Sequence, residues 1–351
     1  MEVSNAFTSN RNAALFILEA GVNHEGSLDN ALKLVRLAAE SGADFIKFQT
    51  YTAENLAAPT SPAYWNLTEE PTTSQFELFS KYDGFTESDY VAIARQCEVE
   101  GIGFLTTCFD ENWLNLLDPL MSIHKVASAD ITNLRLLQSV ASKGKPILLS
   151  TGAATFDEID NAIKTIHKDS NVEICLLHCV LNYPTEYSNA NISRLLELQS
   201  RFANFTLGYS DHTRPNFSRD AISAAFVLGS RVFEKHFTFD KSLQGNDHYH
   251  SFDYKDVQAS LQQLKVLDQM LTFTEDQFLS IQRDARLNAR RGLYAKKDLS
   301  KGHIIQAEDL IALRPTLGPS GFAADEVPDL INQRLERPHQ AFEPILRDSI
   351  R

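Results

Sequence analysis

The chain has no run of eighteen uninterrupted apolar residues, so no membrane-spanning helix is expected. Positive charge is in deficit: 33 Lys and Arg stand against 46 Asp and Glu, a formal net charge of −13. Binders of nucleic acid or of anionic membranes are normally basic, so neither partner is expected. Positive potential for an anionic substrate must therefore be local, built from a few Lys, Arg, helix N-termini or a metal ion. The first residues, MEVSNAFTSNRN, lack the basic-then-apolar order of a signal peptide, and the expectation is a cytoplasmic protein. Cysteine is sparse. Cys97, Cys108, Cys175 and Cys179 form no CxxC pair, and the last two sit in the apolar run EICLLHCV, where reduced, buried thiols are expected rather than zinc ligands. No GxGxxG follows the first strand candidate, which counts against a dinucleotide-binding sheet. Internal repeats and low-complexity tracts are also missing.

What is present is an ample core: 43% of the 351 residues are hydrophobic, enough for one barrel and a small appendage. Eight β-rich runs, at 13–22, 44–51, 101–108, 124–128, 146–151, 173–179, 205–211 and 231–239, alternate with helical patterns. Most are near-continuously apolar, as parallel strands buried on both faces are. Between the first two, 27–42 reads as a helix with Ser27 as N-cap, Gly42 as its terminator and a stripe of Leu28, Ala31, Leu32, Val35 and Ala38 or Ala39. Eight strand–helix alternations over about 250 residues predict an α/β fold, a (β/α)8 TIM barrel, with an open doubly wound sheet as the rival. Residues 52–87 carry three prolines and no sustained period, and are expected to form a partial lid. The expected domains are a catalytic barrel at 1–275, an Arg-rich linker at 276–291 and a small domain at 292–351. The last is marginal on its own and is expected to dock on the barrel or on a partner chain.

Polar residues at the C-terminal ends of barrel strands face the active site. In chain order they are Glu19, Asn23 and His24; Lys47 and Gln49; Thr106 and Thr107; Lys125, Ser128 and Asp130; Ser150 and Thr151; His178, Asn182 and Tyr183; Ser210, Asp211 and His212; Glu234 and His236. A Lys inside a buried strand is costly unless paired. Lys47 and Lys125 therefore either hold a phosphate or carboxylate, helped by Thr107, Ser128, Ser150 and Ser210, or form ion pairs with Glu19, Asp130 or Glu234. Two such lysines in one barrel favour anion binding. His212 and His236 end adjacent strands and could hold a Lewis-acid metal, with His24, His178, His248 and His250 as competitors. Residue chemistry alone reaches a barrel enzyme with an anionic substrate and a carbonyl-activating metal. Aldolase, isomerase and synthase stay open.

The segments EAGVNHEGSLDNALKLVRLAAESGADFIKFQTY (19–51), FLTTCFD (104–110), HKVASADITN (124–133), KPILLSTGAAT (145–155), LLHCVLNYPTE (176–186), LGYSDHT (207–213), EKHFTFD (234–240) and QGNDHYHS (244–251) resemble, in order, the signatures of the sialic acid (nonulosonic acid) synthase family. RRGLYAKKDLSKGHIIQAEDLIALRP is similar to that family's antifreeze-like (SAF) domain. The resemblance implies an enzyme, a transferase, that condenses phosphoenolpyruvate with an N-acylated hexosamine to give a nonulosonic acid and phosphate. The acceptor would be N-acetylmannosamine or a 2,4-diacetamido-trideoxyhexose. It implies a divalent metal on His212 and His236, manganese with magnesium or cobalt as alternatives. Phosphoenolpyruvate contacts carry over to Lys47, Thr107, Lys125, Ser128, Ser150 and Ser210. Sugar contacts carry over to Gln49, Tyr183, Asp247 and Arg314, and proton-handling carboxylates to Glu19 and Asp130. The family works as a domain-swapped homodimer whose antifreeze-like domain caps the partner's barrel.

Three positions depart from the family pattern. Ser128-Ala129-Asp130 stands where Ser-Gly-Glu is usual, Leu181 replaces an Asn or Ser that helps bind phosphoenolpyruvate, and Thr316 follows Arg314-Pro315 in place of Gly. These bear on the acceptor and on efficiency more than on reaction class. The alternatives are a related metal-dependent aldol-type enzyme or keto-acid sugar synthase with another acceptor, and a catalytically inactive binding module. No second basic cluster marks a sugar-phosphate site, so an unphosphorylated sugar is expected.

Overall fold

The computed structural model describes residues 5–68, 70–218, 220–245, 247–314 and 321–351. The chain divides into two compact units, Met1–Leu271 and Thr272–Arg351.

The first unit is built on eight parallel strands: β1 (Leu15–Gly21), β2 (Phe45–Thr50), β3 (Gly103–Cys108), β4 (His124–Val126), β5 (Ile147–Ser150), β6 (Ile174–Cys179), β7 (Thr206–Asp211) and β8 (Val232–His236). Hydrogen-bonded neighbours run β3-β2-β1-β8-β7-β6-β5-β4, and β3 and β4 stand in contact, so the sheet curls into a nearly closed TIM-type barrel. All eight strands fall where the apolar runs predict. Every residue of β1, β4, β5, β6, β7 and β8 is buried, which explains why these segments show no polar alternation. Helices α1 (Leu28–Ser41), α2 (Ala53–Leu56), α3 (Gln75–Ser80), α4 (Glu87–Glu100), α5 (Glu111–Leu117), α6 (Leu134–Ala141), α7 (Phe156–Ile166), α8 (Arg194–Arg201), α9 (Ala221–Val227) and α10 (Tyr254–Leu271) complete this unit.

Helix α1 shows how local chemistry sets the boundaries. The Ser27 side chain accepts from the Asn30 N–H, and Gly42 ends the helix at φ 93°. Its buried stripe is Ala31, Leu34, Val35, Ala38 and Ser41. The sequence stripe ran instead through Leu28 and Leu32, which are half-buried. Both patterns satisfy helical spacing; contacts with α4 and α10 on either side settle which leucines face inward. In the barrel wall, a Cβ on Gly208 would lie 2.5 Å from the Val232 carbonyl oxygen and 2.3 Å from Leu177, so β7 needs glycine there.

The 52–87 segment is more ordered than its composition indicates. It carries α2 and α3, and Pro62 bridges to Ser74. The Trp65 indole N–H donates to the carbonyls of Glu70 and Thr72, each at 3.1 Å.

The second unit holds α11 (Glu275–Ile281), α12 (Arg283–Ala289), β9 (Gly292–Ala295) and β10 (Leu310–Leu313), the two strands antiparallel. Its core is Leu293, Ala295, Leu299, Ile305, Phe322, Leu330, Leu335 and Ile345. Asp309 accepts from Gln306 N–H at 2.9 Å and lies 2.7 Å from His303 Nε2 and 2.9 Å from Lys297 Nζ. Among the described residues, no helix is long and apolar enough to cross a membrane.

Candidate active site

Strand register places the first cluster. Glu19 on β1 lies opposite Lys47 on β2 and opposite His236 on β8. Lys47 Nζ pairs with Glu19, donates to Thr107 Oγ1 at 3.1 Å and stands 3.8 Å from Glu234 Oε2. Lys125 Nζ is 3.4 Å from Glu234 Oε1, which also accepts from Ser210 Oγ at 2.9 Å. Gln49 Nε2 donates to the other oxygen of Glu19 at 2.8 Å. All but Gln49 are buried. The two lysines are thus both ion-paired and grouped with the predicted hydroxyls; the two readings of them are not exclusive.

The two carboxylates differ. Burial opposes ionisation of Glu234, but Lys125, Lys47 and the Ser210 hydroxyl outweigh it and hold this group down at about 2. Glu19 is also pushed up by burial; only Lys47 and Gln49 favour its charge, Glu234 opposes it, and it stays above the usual carboxylate range. Burial alone would discharge Lys47, yet Glu19 and Glu234 keep it firmly protonated. Paired carboxyls with divergent proton affinities mark acid–base sites.

Beside this cluster lies a hydroxyl-lined bay. Ser128 Oγ accepts from Gly152 N–H at 2.9 Å, and a Cβ at Gly152 would sit 2.8 Å from that oxygen. Ser150 Oγ is buried without a hydrogen-bond partner. Buried orphan polar groups are uncommon and point to a missing ligand or water.

Three groups that could hold a metal converge next: one donor atom each from His236, Asp247 and His250 lies within 4.8 Å of the others. His236 Nδ1 stands 3.3 Å from Asp247 Oδ2, and His250 Nε2 stands 3.7 Å from Asp247 Oδ1. His212 packs beside them, its ring 5.4 Å from that of His236. Its Nδ1 is 2.8 Å from the Val180 carbonyl, which leaves Nε2 as the available nitrogen. Burial, then neighbouring histidines, hold His236 well below the usual imidazole range, and burial with Lys235 does so for His250. His236 Nδ1 and both His250 nitrogens are buried with no hydrogen-bond partner. Neutral imidazoles with idle nitrogens beside a carboxylate fit a divalent transition-metal ion. Burial and the carboxylates of Glu19 and Glu70 raise Asp247 to about 7, with His212 and Lys47 opposing.

Period-two alternation sends the intervening residues outward. Asp211 lies between Ser210 and His212, and Lys235 between Glu234 and His236. The two form a buried ion pair at 2.7 Å. Asp211 also accepts from Tyr209 Oη and from Thr213 N–H, both at 3.0 Å, and from Thr213 Oγ1 at 3.1 Å.

Other sequence candidates make contacts of their own. Asp130 occupies a turn after β4, where Asn133 donates to it at 3.4 Å and burial raises its proton affinity. Asn182 is exposed and Leu181 half-buried. His178 binds the Ala190 carbonyl at 2.9 Å, His24 stacks on Phe85, and His248 contacts Thr238 Oγ1 at 2.8 Å. Arg314 is exposed at the end of β10 in the second unit; Pro315 and Thr316 lie outside the described residues. Glu234 was expected at a strand end facing the site and as a possible ion-pair partner of the lysines, without a catalytic role, and His250 only as a competitor. A His two residues from another His and three from an Asp, in HYH after Asp247, is the signal that could have promoted His250.

A cavity opens outward from His236 and Asp247. Gln49, Tyr51 and Tyr183 line it with Tyr64, Trp65, Glu70, Phe79 and Tyr82 of the 52–87 segment and Tyr249.

The residues at 34–276 match the NeuB family model, and 290–351 match the SAF domain. The chain belongs to the NeuB family. It is 36% identical over 326 residues to the N,N'-diacetyllegionaminic acid synthase of Legionella pneumophila, covering 91% of this chain and 89% of the relative. It is 30% identical over 326 residues to a pseudaminic acid synthase of Campylobacter jejuni, with 91% of each covered. Among solved structures, the N-acetylneuraminic acid synthetase of Leptospira borgpetersenii, in complex with citrate, superposes with a TM-score of 0.67 at 29% identity, covering 81% of this chain and 96% of that one. This NeuB-family chain therefore has nonulosonic acid synthases as its relatives, as the motif resemblance implied.

Proposed function

We propose that this NeuB-family chain is a transferase that condenses phosphoenolpyruvate with the open-chain aldehyde of an N-acylated hexosamine, giving a nonulosonic acid and phosphate. The observation that carries this reading is the adjacency of two units of chemistry. Buried, charged Lys47 and Lys125 offer an anion site within one barrel mouth, beside the donor cluster of His236, Asp247 and His250. The relatives' names support the product class.

Phosphoenolpyruvate takes its place at the ammonium groups of Lys47 and Lys125, with hydroxyls of Thr107, Ser128, Ser150 and Ser210 around it. The small Gly152 keeps that bay open. His212 and His236 hold a divalent ion in this proposal, and Asp247 and His250 complete the donor set. Nitrogen donors suit manganese or cobalt better than magnesium. When bound, the ion supplies Lewis acidity to the aldehyde.

Carbon 3 of phosphoenolpyruvate forms the new bond to the aldehyde carbon. Glu19, a carboxylate paired with Lys47 and with its proton affinity raised by burial, accepts a proton from the water that adds to carbon 2 and passes it to the nascent hydroxyl, and the carbon 2–oxygen bond to phosphate breaks. Glu234 stays ionised and keeps both lysines charged and in place. Gln49 holds Glu19 on the acceptor side.

The test is phosphate release in complete and omission mixtures. The reading requires phosphoenolpyruvate, an N-acyl sugar and a divalent ion together. Release with unsubstituted aldoses but no N-acyl sugar, or release independent of any sugar, overturns it.

A further inference from the structure

We propose that the Tyr51 hydroxyl is a specificity-determining contact of the acceptor. It donates a hydrogen bond to an oxygen in the half of the open-chain sugar remote from the aldehyde. The inference rests on the condensation proposed above and adds one residue to it.

Tyr51 follows β2 directly, and strand alternation puts Lys47, Gln49 and Tyr51 on one face. The order along that face acts as a scale. Lys47 pairs with Glu19 deep in the barrel mouth, Gln49 donates to Glu19 from the cavity side, and Tyr51 comes next outward on the cavity wall. At about 3.3 Å per residue, Tyr51 departs from the backbone roughly 13 Å from Lys47 and roughly 7 Å beyond Gln49. With phosphoenolpyruvate at Lys47, the aldehyde end of the acceptor lies beside Gln49 and its distal carbons reach Tyr51.

The side chain is held firmly, yet its hydroxyl is unused. Tyr51 is 4% exposed, and its ring packs against Phe79 of α3 and Phe109 after β3, with centroids 5.3 and 5.9 Å away. Among the described residues that line the cavity, two buried polar atoms have no hydrogen-bond partner: His236 Nδ1 and the Tyr51 hydroxyl oxygen. The first belongs to the donor set that fits a metal ion. The second has no such use within the chain. Its neighbours are engaged: the Tyr90 hydroxyl donates to the Gln49 carbonyl at 3.1 Å, and the Trp65 N–H donates to two carbonyls. An unpaired buried hydroxyl is costly, and one that faces a cavity is completed by what enters it.

The chemistry of the wall says which partner fits. Burial, reinforced by Tyr90 and Asp83, raises the proton affinity of the phenol, so at neutral pH the group keeps its proton and can donate. Glu70 and Asp247 give the same wall carboxyl oxygens, which suit the N–H and O–H groups of a sugar. Tyr51 supplies the complementary function, a neutral donor for a sugar oxygen. Its ring is clamped, so donor and oxygen meet at little cost in side-chain entropy.

The experiment compares the wild type with Tyr51→Phe, which removes one oxygen and keeps the ring. Steady-state kinetics use N-acetylmannosamine, a 2,4-diacetamido-2,4,6-trideoxyhexose and a truncated acceptor, a 2-acetamido-2-deoxytetrose. The tetrose carries the aldehyde end alone, and its affinity is read as inhibition of the hexose reaction. Tyr51→Phe raises KM for the better hexose at least about 5-fold, the scale of one neutral hydrogen bond. It leaves KM for phosphoenolpyruvate and the inhibition constant of the tetrose within about 2-fold. An unchanged hexose KM overturns the inference. So does an equal loss with hexose and tetrose, which would mark a structural role. Either result leaves the condensation standing. No phosphate release by the wild type with any acceptor overturns both.

Discussion

Replacing Lys235 by Met isolates what the outward-facing ion pair does for the inward-facing site. Lys235 is fully buried, pairs with Asp211 at 2.7 Å, donates to the Thr213 carbonyl and lies over the Phe252 ring at 5.1 Å. Met fills most of the volume but leaves the Asp211 charge without its cation. Removing one member of a buried pair costs about 3–5 kcal/mol. The low end applies, because Asp211 keeps its three bonds from Tyr209 and Thr213. With a urea slope of about 3 kcal/mol/M, the midpoint falls by about 1 M. The assay is tryptophan fluorescence. Trp65 and Trp113, the two tryptophans of the chain, both lie in the first unit, so the signal reports barrel unfolding. The double variant Asp211→Asn with Lys235→Met carries no charge at this pair and recovers at least half of the loss. A single-variant shift below about 0.3 M, or a double variant no more stable than the single, refutes the reasoning.

Three further outcomes follow from the geometry. Gly152→Ala pushes a Cβ to 2.8 Å from Ser128 Oγ and raises KM for phosphoenolpyruvate about 10-fold with the sugar KM unchanged, read from steady-state kinetics; an unchanged value removes this bay from the anion site. His250→Ala weakens manganese binding at least about 10-fold in a paramagnetic-resonance titration, and full affinity would remove it from the donor set. In the second unit, burial opposes ionisation of Asp309, but His303 and Lys297 outweigh it and hold the group at about 2, below its ordinary 3.8. Its stabilisation is therefore complete above pH 4 and fades as pH falls towards 2; at most about 2 kcal/mol is involved. Asp309→Asn should lower the stability of that unit at pH 7 and flatten its acid limb between pH 4 and 2, followed by circular dichroism; an acid limb as steep as the wild type's would contradict the assignment.

Much of the barrel was legible because buried parallel strands advertise themselves as continuous apolar runs. Helix α1 declared both ends through Ser27 and Gly42. Lys47, Lys125 and their hydroxyls stood out because ammonium groups inside apolar strands demand a partner. What was missed, or named in another role, depends on register or on loops: Glu234 was expected to pair with a lysine but not to bridge both, Asp247 was expected as a sugar contact, and His250 as a competing ligand. Glu234 stands between Lys47 and Lys125 only because three strands bring them together, and pairing across a barrel has no local signature. Asp247 and His250 follow β8 in a short turn, where no periodicity says which side chains turn back towards His236. Glu70 belongs to a segment whose order comes from Trp65, Thr72 and Lys81 rather than from a repeating pattern. Leu34 rather than Leu32 faces inward because of packing against α4 and α10, which helical spacing does not encode.

The most direct test of the central claim is the fate of oxygen during turnover in ¹⁸O-labelled water with phosphoenolpyruvate, a divalent ion and the N-acyl sugar. Mass spectrometry of both products reads it. The account predicts one nine-carbon 2-keto acid per phosphate, with the label at carbon 2 of the acid and none in the phosphate. Labelled phosphate, or phosphate formed without the keto acid, would show that water attacks phosphorus and would contradict condensation at this site.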